Sequence, residues 1–163
     1  METHLKIYTD GGCWGNPGPG GWAYIIVLET FQGEKIVAER YGAEKSTTNN
    51  RMELTAVISA LQNLKTMEDI PGKATVCTDS QYVQKGITEW IVNWKKNSWK
   101  TSDKKPVKNQ DLWQELDALA EEFSLAWKWV RGHAGIAYNE RCDKMTQEAI
   151  SSIEGNTSPR SLF

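Results

Sequence analysis

The chain has 163 residues, of which 25% are charged, and a formal charge of −2; this suits one soluble unit able to bury about two-thirds of its unfolded surface. Its longest apolar run, Trp22 to Leu28, is too short to span a bilayer, and no N-terminal stretch joins a basic start to an apolar core and a small-residue cleavage site. Three cysteines, Cys13, Cys77 and Cys142, without a C-x-x-C pair, point to reduced thiols in a cytoplasm rather than a disulfide framework or a zinc site.

In chain order, LKIYT from Leu5 to Thr9 predicts a first strand, stopped by the glycine- and proline-rich run DGGCWGNPGPGG. WAYIIVLE predicts a second strand, FQGEK a turn and KIVAERYGA a third strand, together an antiparallel meander. The period then changes: Leu54, Val57, Ile58, Leu61 and Leu64 share one helical face, with Thr48 or Asn49 placed to cap the helix. ATVCT predicts a short buried strand ending at Asp79, and SQYVQKGI the start of a second helix. A tryptophan- and lysine-rich helix and exposed loop follow up to Asn109, then a helix over DLWQELDALAEEF and a last strand over SLAWKWV. RGHAGIAYN reads as a loop, ERCDKMTQEAISSI as the final helix, and the polar segment 155–163 as a disordered tail. Residues 1–154 are thus expected to form one domain, an α/β fold with a mixed sheet and helices on both faces.

Asp10 and Asp79 stand at the predicted ends of two strands. Were those strands parallel neighbours, both carboxylates would emerge at the carboxyl edge of the sheet, where open α/β sheets place their ligands. Glu53 and Asp143, in the first turns of two helices, could lean toward the same edge. Four converging acids would repel one another strongly in a partly buried site. A hard divalent cation removes that penalty, and oxygen ligands suit Mg²⁺ or Mn²⁺. Each acid alone also fits an ordinary habit of turns, strand ends and helix N-termini.

The words around these acids are TDGGCWGNPGPGGWAY, TTNNRMELTAVISAL, TDSQYV, WVRGHAG and NERCD. Taken together, in order and in spacing, they resemble type 1 ribonuclease H in its bacterial form, from about Leu5 to about Ala149. The resemblance implies a sheet of five strands, the first three an antiparallel meander and the last two parallel. It implies Asp10, Glu53, Asp79 and Asp143 as ligands of two Mg²⁺ ions (or Mn²⁺) bound with substrate. The expected activity is hydrolysis of the RNA strand of RNA–DNA hybrids, leaving 5′-phosphate and 3′-hydroxyl ends. His133, in the glycine-flanked loop, is implied near the scissile phosphate, helping proton transfer or product departure. His4 is expected to be inert. The stretch Ile136-Ala137-Tyr138 is less polar than the family's mobile loop.

Gly11 and Gly12 would let the backbone approach a nucleic-acid strand closely. Asn16, Thr48, Asn49, Asn50 and Gln81 are short polar groups near the inferred site, and the resemblance implies that they contact the minor groove and a DNA phosphate, reading shape rather than sequence. Cys13 is expected to line the same groove.

Between Lys85 and Lys108 there are seven lysines against Glu89 and Asp103, a net of +5, which leaves −7 on the remainder of the chain. Trp90, Trp94 and Trp99 are interleaved with them. Lysines on a solvated face over a tryptophan core explain part of this pattern, and spacing of four puts Trp90 and Trp94 on one helical side. So much positive charge on an acidic body also calls for a phosphate backbone. The segment, about 85–108, resembles the basic handle of bacterial type 1 enzymes, which grips the DNA strand; Trp90, Lys95, Lys96 and Lys100 are the candidate contacts, with Lys104 and Lys105 behind them. A chain with its own handle should need no separate hybrid-binding domain. No membrane and no obligate protein partner are expected; the resemblance implies a monomer, and the reduced cysteines a cytoplasmic one. Two other readings are a transposase- or resolvase-like nuclease acting on DNA, and a hybrid-binding module without catalysis. The words NNRME and GHAG and the handle favour ribonuclease H over the first, and the presence of all four acids argues against the second.

Overall fold

A computed structural model describes residues 3–131 and 137–154. Its centre is a five-stranded sheet in the order β3-β2-β1-β4-β5, formed by β1 (His4–Cys13), β2 (Gly18–Thr30), β3 (Gly33–Thr47), β4 (Lys73–Thr78) and β5 (Ser124–Trp129). The first three strands pair antiparallel, while β4 and β5 join β1 in parallel, as the sequence predicts.

The first strand is longer than expected. Gly11 and Gly12 do not turn the chain: they pair with Trp22 and Gly21, because β2 begins at Gly18, four residues before the expected Trp22. Cross-strand pairing here overrides the breaker habit of glycine. The expected FQGEK turn likewise shrinks to Phe31 and Gln32 between Thr30 and Gly33.

The unbroken apolar run of β2 is explained by burial on both faces. Tyr24 and Ile26 enter a core with Leu5, Ile7, Leu54, Leu61, Trp113 and Leu116. Ala23, Ile25 and Val27 point the other way, to Tyr8, Cys77 and Cys142. The first core is covered by α1 (Asn49–Thr66) and α4 (Gln110–Ala120), and the second by α5 (Ala137–Glu154). The latter starts at Ala137, so Ala137 to Asn139, expected in a loop, are helical and Asp143 lies in the second turn.

From Gln81 to Lys96 the chain is one helical path: α2 (Gln81–Lys85), a π-helical turn (Gly86–Trp90) and α3 (Ile91–Lys96). Trp113 fills the space where a side chain at Gly86 would stand, so a large ring of α4 packs directly on this backbone. Trp94 contacts Trp90, Trp99 and Trp113 at centroid distances of 5.9, 6.2 and 5.3 Å. The tryptophans therefore anchor the segment, as expected, and leave its lysines outside. No helix among the described residues is long and apolar enough to cross a membrane.

Candidate active site: carboxylates at the sheet edge

The register of β1 and β4 ends at the pair Thr9–Thr78. Asp10 and Asp79 each follow directly on that pair, so two parallel neighbours deliver two carboxylates to the same edge. Asp10 marks the point where β1 leaves β4, not the end of β1, which continues along β2 to Cys13.

Glu53 arrives from α1. Thr48 starts that helix, its hydroxyl accepting a hydrogen bond from the Arg51 amide at 3.3 Å. The Asn16 side-chain oxygen accepts from the Asn49 amide at 3.0 Å and ties the β1–β2 loop to the same helix end. In its second turn α1 lies against Gly11, where a Cβ would stand 2.5 Å from the Glu53 amide nitrogen. The missing side chain admits the protein's own helix, and this close approach lowers Glu53 to the sheet edge.

One carboxylate oxygen from each of Asp10, Glu53 and Asp79 lies within 4.8 Å of the others. Asp10 and Glu53 are buried, and Glu53 Oε1 has no hydrogen-bond partner. Burial first, then the charge of Asp79, pushes the Asp10 carboxyl up to about 8. Asp143 adds to this rise; the Thr146 hydroxyl offsets part of it, although it makes no hydrogen bond of ordinary geometry. Glu53 is raised well above the usual range by burial and then by Asp10 and Asp79, with the Gly11 amide opposing. None of these influences comes from a lysine or arginine. Three acids crowded without a cation fit a divalent metal, whose charge would replace the missing counter-charge. Asp143, half-buried on α5, stands outside that tight group of three but is near enough to act on Asp10.

The joint carrying Asp79 is tightly braced. The Thr78 hydroxyl accepts from the Ser80 amide at 3.0 Å, and the Ser80 hydroxyl caps α2 by accepting from the Val83 amide at 3.1 Å. The Val130 amide donates to the Thr78 carbonyl at 2.8 Å, and the Trp129 indole N–H donates to the Asp79 carbonyl at 3.0 Å.

Around the carboxylates the expected contact residues divide. Asn16, Asn49 and Gln81 are exposed, and Thr48 and Asn50 are half-buried. The Cys13 thiol donates to the carbonyls of Gly18 and Thr47 at 3.2 and 3.3 Å, and burial pushes it up; it holds the loop before α1 to the sheet. Trp90 packs against Tyr82 at 5.7 Å and against Trp94. Lys95 is held by Asp117 and Glu121 at 3.2 and 2.9 Å, whereas Lys96 and Lys100 make no ion pair among the described residues. His4 donates to or accepts from the Thr75 hydroxyl at 3.0 Å, away from the site. His133, within residues 132–136, lies outside the described residues, as does the segment 155–163.

Sequence reasoning missed a polar link from α1, beside the site, to the start of α4 and on to α2. The Arg51 guanidinium donates to both Asp111 carboxylate oxygens, at 3.1 and 2.8 Å, and to the Asn109 side chain at 3.2 Å. Asn109 and Trp113 both donate to the Tyr82 hydroxyl. Arg51 sits two residues before Glu53 in the NNRME word, which is a signal, but partners some 60 positions away leave none.

The RNase H family model matches residues 2–151. The chain is similar to ribonuclease H of Treponema denticola, 56% identical over 160 residues that cover 92% of this chain and 99% of that protein. Among solved structures it is similar to LC9-RNase H1, a type 1 RNase H with the type 2 active-site motif, at TM-score 0.80 and 32% identity, covering 91% of this chain and 72% of that one. It shares its fold with LC11-RNase H1, solved in complex with an RNA/DNA hybrid, at TM-score 0.69 and 24% identity over 93% of this chain and 99% of that one.

Proposed function

The chain belongs to the ribonuclease H family, and from that premise we propose that Asp10, Glu53, Asp79 and Asp143 cut the RNA strand of an RNA–DNA hybrid with the help of two divalent cations, Mg²⁺ in the first instance. The activity is that of the family: endonucleolytic hydrolysis of the RNA of a hybrid. The observation that carries the mechanism is the cluster of Asp10, Glu53 and Asp79, in which Asp10 and Glu53 are buried and raised without a basic neighbour.

Asp10, Glu53, Asp79 and Asp143 would hold the cations. Bound there, cations supply Lewis acidity and positive charge at the reacting phosphate. Water attacks the phosphorus in line, the bond to the 3′-oxygen breaks, and the products carry a 5′-phosphate and a 3′-hydroxyl. This reading needs no covalent intermediate. His133, brought in by the family resemblance, assists proton transfer or product departure.

Exposed Lys96 and Lys100 grip the DNA phosphates, with Trp90 packed on Tyr82 and Trp94 and the salt-bridged Lys95 beside them on the same exposed segment. Asn16, Thr48, Asn49, Asn50 and Gln81, ranged around the carboxylates, read the shape of the duplex, with Gly11 and Cys13 keeping its floor in place. The complex of LC11-RNase H1 with an RNA/DNA hybrid supports this choice of substrate. The chain acts in this reading as a cytoplasmic monomer.

The test compares matched RNA–DNA, DNA–DNA and RNA–RNA duplexes, each with Mg²⁺ and with chelator, and identifies the product ends. Cleavage confined to the RNA of the hybrid, and abolished by chelator, is expected. Equal cleavage of DNA–DNA would favour the transposase-like reading, and binding without cleavage the binding-module reading.

A further inference from the structure

Asp79 lies between two elements that end beside it. β4 stops at Thr78 and α2 starts at Gln81 behind its cap Ser80. The peptide that follows a ligand residue sets, with φ and ψ, where its side chain points. Here the Asp79 carbonyl lies beyond the last ladder pair, Thr78–Trp129, so the sheet itself does not hold it. The Trp129 indole does: its N–H reaches back over 50 positions of sequence to donate to that carbonyl at 3.0 Å. Trp129 is the last residue of β5 and remains 37% exposed. A large ring left in solvent at the carboxyl edge of the sheet is poorly accounted for by core packing, and its directed hydrogen bond gives it another use.

We propose that Trp129 is a positioning residue for the metal cage, its indole N–H fixing the Asp79 peptide so that the carboxylate faces Asp10 and Glu53. The inference rests on the proposed role of those acids as metal ligands. It assigns Trp129 no contact with substrate. Partners behind metal ligands commonly tune affinity through orientation. Trp129→Phe keeps the ring and removes the donor, while Trp129→His returns an N–H on a smaller ring.

The full-length protein is titrated with Mn²⁺ by calorimetry in the absence of nucleic acid. Circular dichroism first checks that each variant is folded. Hybrid cleavage is measured on the same preparations. Loss of one neutral hydrogen bond predicts Mn²⁺ affinity about three- to tenfold weaker for Trp129→Phe. The matching loss should appear in kcat at limiting metal, with KM for the hybrid unchanged and part of the affinity restored in Trp129→His. Wild-type Mn²⁺ affinity in Trp129→Phe would overturn the proposal. So would equal weakening in Phe and His variants, since packing of the ring would then be the cause. A rise in KM alone would overturn it in favour of direct substrate contact. Wild-type protein that binds Mn²⁺ but fails to cleave hybrid would count against the proposed function and leave the affinity comparison to judge Trp129.

Discussion

Gly11 and Glu53 are packed backbone to backbone: a Cβ on Gly11 would sit 2.5 Å from the Glu53 amide nitrogen and 2.6 Å from the Met52 carbonyl oxygen. The glycine next to one acid of the site is therefore the seat of the helix that carries another. Gly11→Ala must push α1 away from β1. Overpacking of this kind destabilises by about 1–3 kcal/mol, and the displaced helix should also lower kcat in molecules that remain folded. Gly12→Ala is the control, because its nearest neighbour would be the Thr146 methyl at 3.8 Å. Chemical denaturation and single-turnover cleavage of both variants, run together, check this. Near-normal stability and rate in Gly11→Ala would mean that α1 is not seated as described.

A second prediction concerns pH. The Asp10 carboxyl is pushed up to about 8 and Glu53 is raised as well, whereas in the unfolded chain such groups lose their protons near pH 4. Between about pH 4 and about pH 8 the unfolded state ionises while the folded, metal-free state holds its protons. Stability in chelator should therefore be greatest at the acidic end of that window and fall as pH rises through it. Saturating Mg²⁺ binds the ionised carboxylates and should flatten the fall, with protons released on binding. Asp10→Asn should remove part of the slope and most of the cleavage. Urea denaturation at several pH values, with Mg²⁺ and with chelator, is the measurement. A metal-free protein that gains stability across this window would contradict the electrostatics of the cluster.

The handle lysines are not equivalent. Lys95 already holds Asp117 and Glu121, while Lys96 and Lys100 are exposed and make no ion pair among the described residues. Neutralising Lys96 and Lys100 together should raise KM more than it lowers kcat. It should also reduce the log–log salt slope of hybrid affinity by roughly 0.7–0.9 for each phosphate that is no longer neutralised. Lys95→Gln should leave that slope nearly unchanged and loosen α3 from α4 instead. If all three lysines contributed equally to the slope, the ion pairs of Lys95 would have to open on binding.

His133→Ala separates assistance from obligation. With bond breaking left to the four acids and their cations, the variant should fold, bind Mn²⁺ as before and lose about 10²-fold or less in kcat, the lower end of general acid–base assistance. Asp10→Asn, assayed at the same metal concentration, should lose clearly more. A histidine variant as inactive as the aspartate variant would make His133 an obligatory proton carrier, and a fully active one would reduce it to a loop residue.

Much of this molecule is legible without coordinates. The apolar period of α1, a cap at Thr48 or Asn49 and the apolar run of β2 are local signals; the cap is Thr48, and each apolar run lies within the element it predicts. Asp10 and Asp79 stand legibly at predicted strand ends and would share an edge if those strands were parallel neighbours, a condition that the register Thr9–Thr78 meets. Element boundaries are less legible. Glycines 11 and 12 carry a turn signal, and only their pairing with β2 turns them into strand. The start of α5 at Ala137 is similar: Ala137 to Asn139 read as loop although they are helical.

The order of elements, the identity of the acids and the charge of the handle follow from the sequence, because they depend on residue type and on spacing within a few turns. Tertiary structure decided which groups meet. It set α1 on Gly11, paired the exposed Lys95 with Asp117 and Glu121, joined Arg51 to Asp111, and brought the Trp129 indole to the Asp79 carbonyl. The physical reason is range. Periodicity reports which face of an element is apolar, but a hydrogen bond or an ion pair between residues 22 to 60 positions apart exists only once the core has fixed the distance between them.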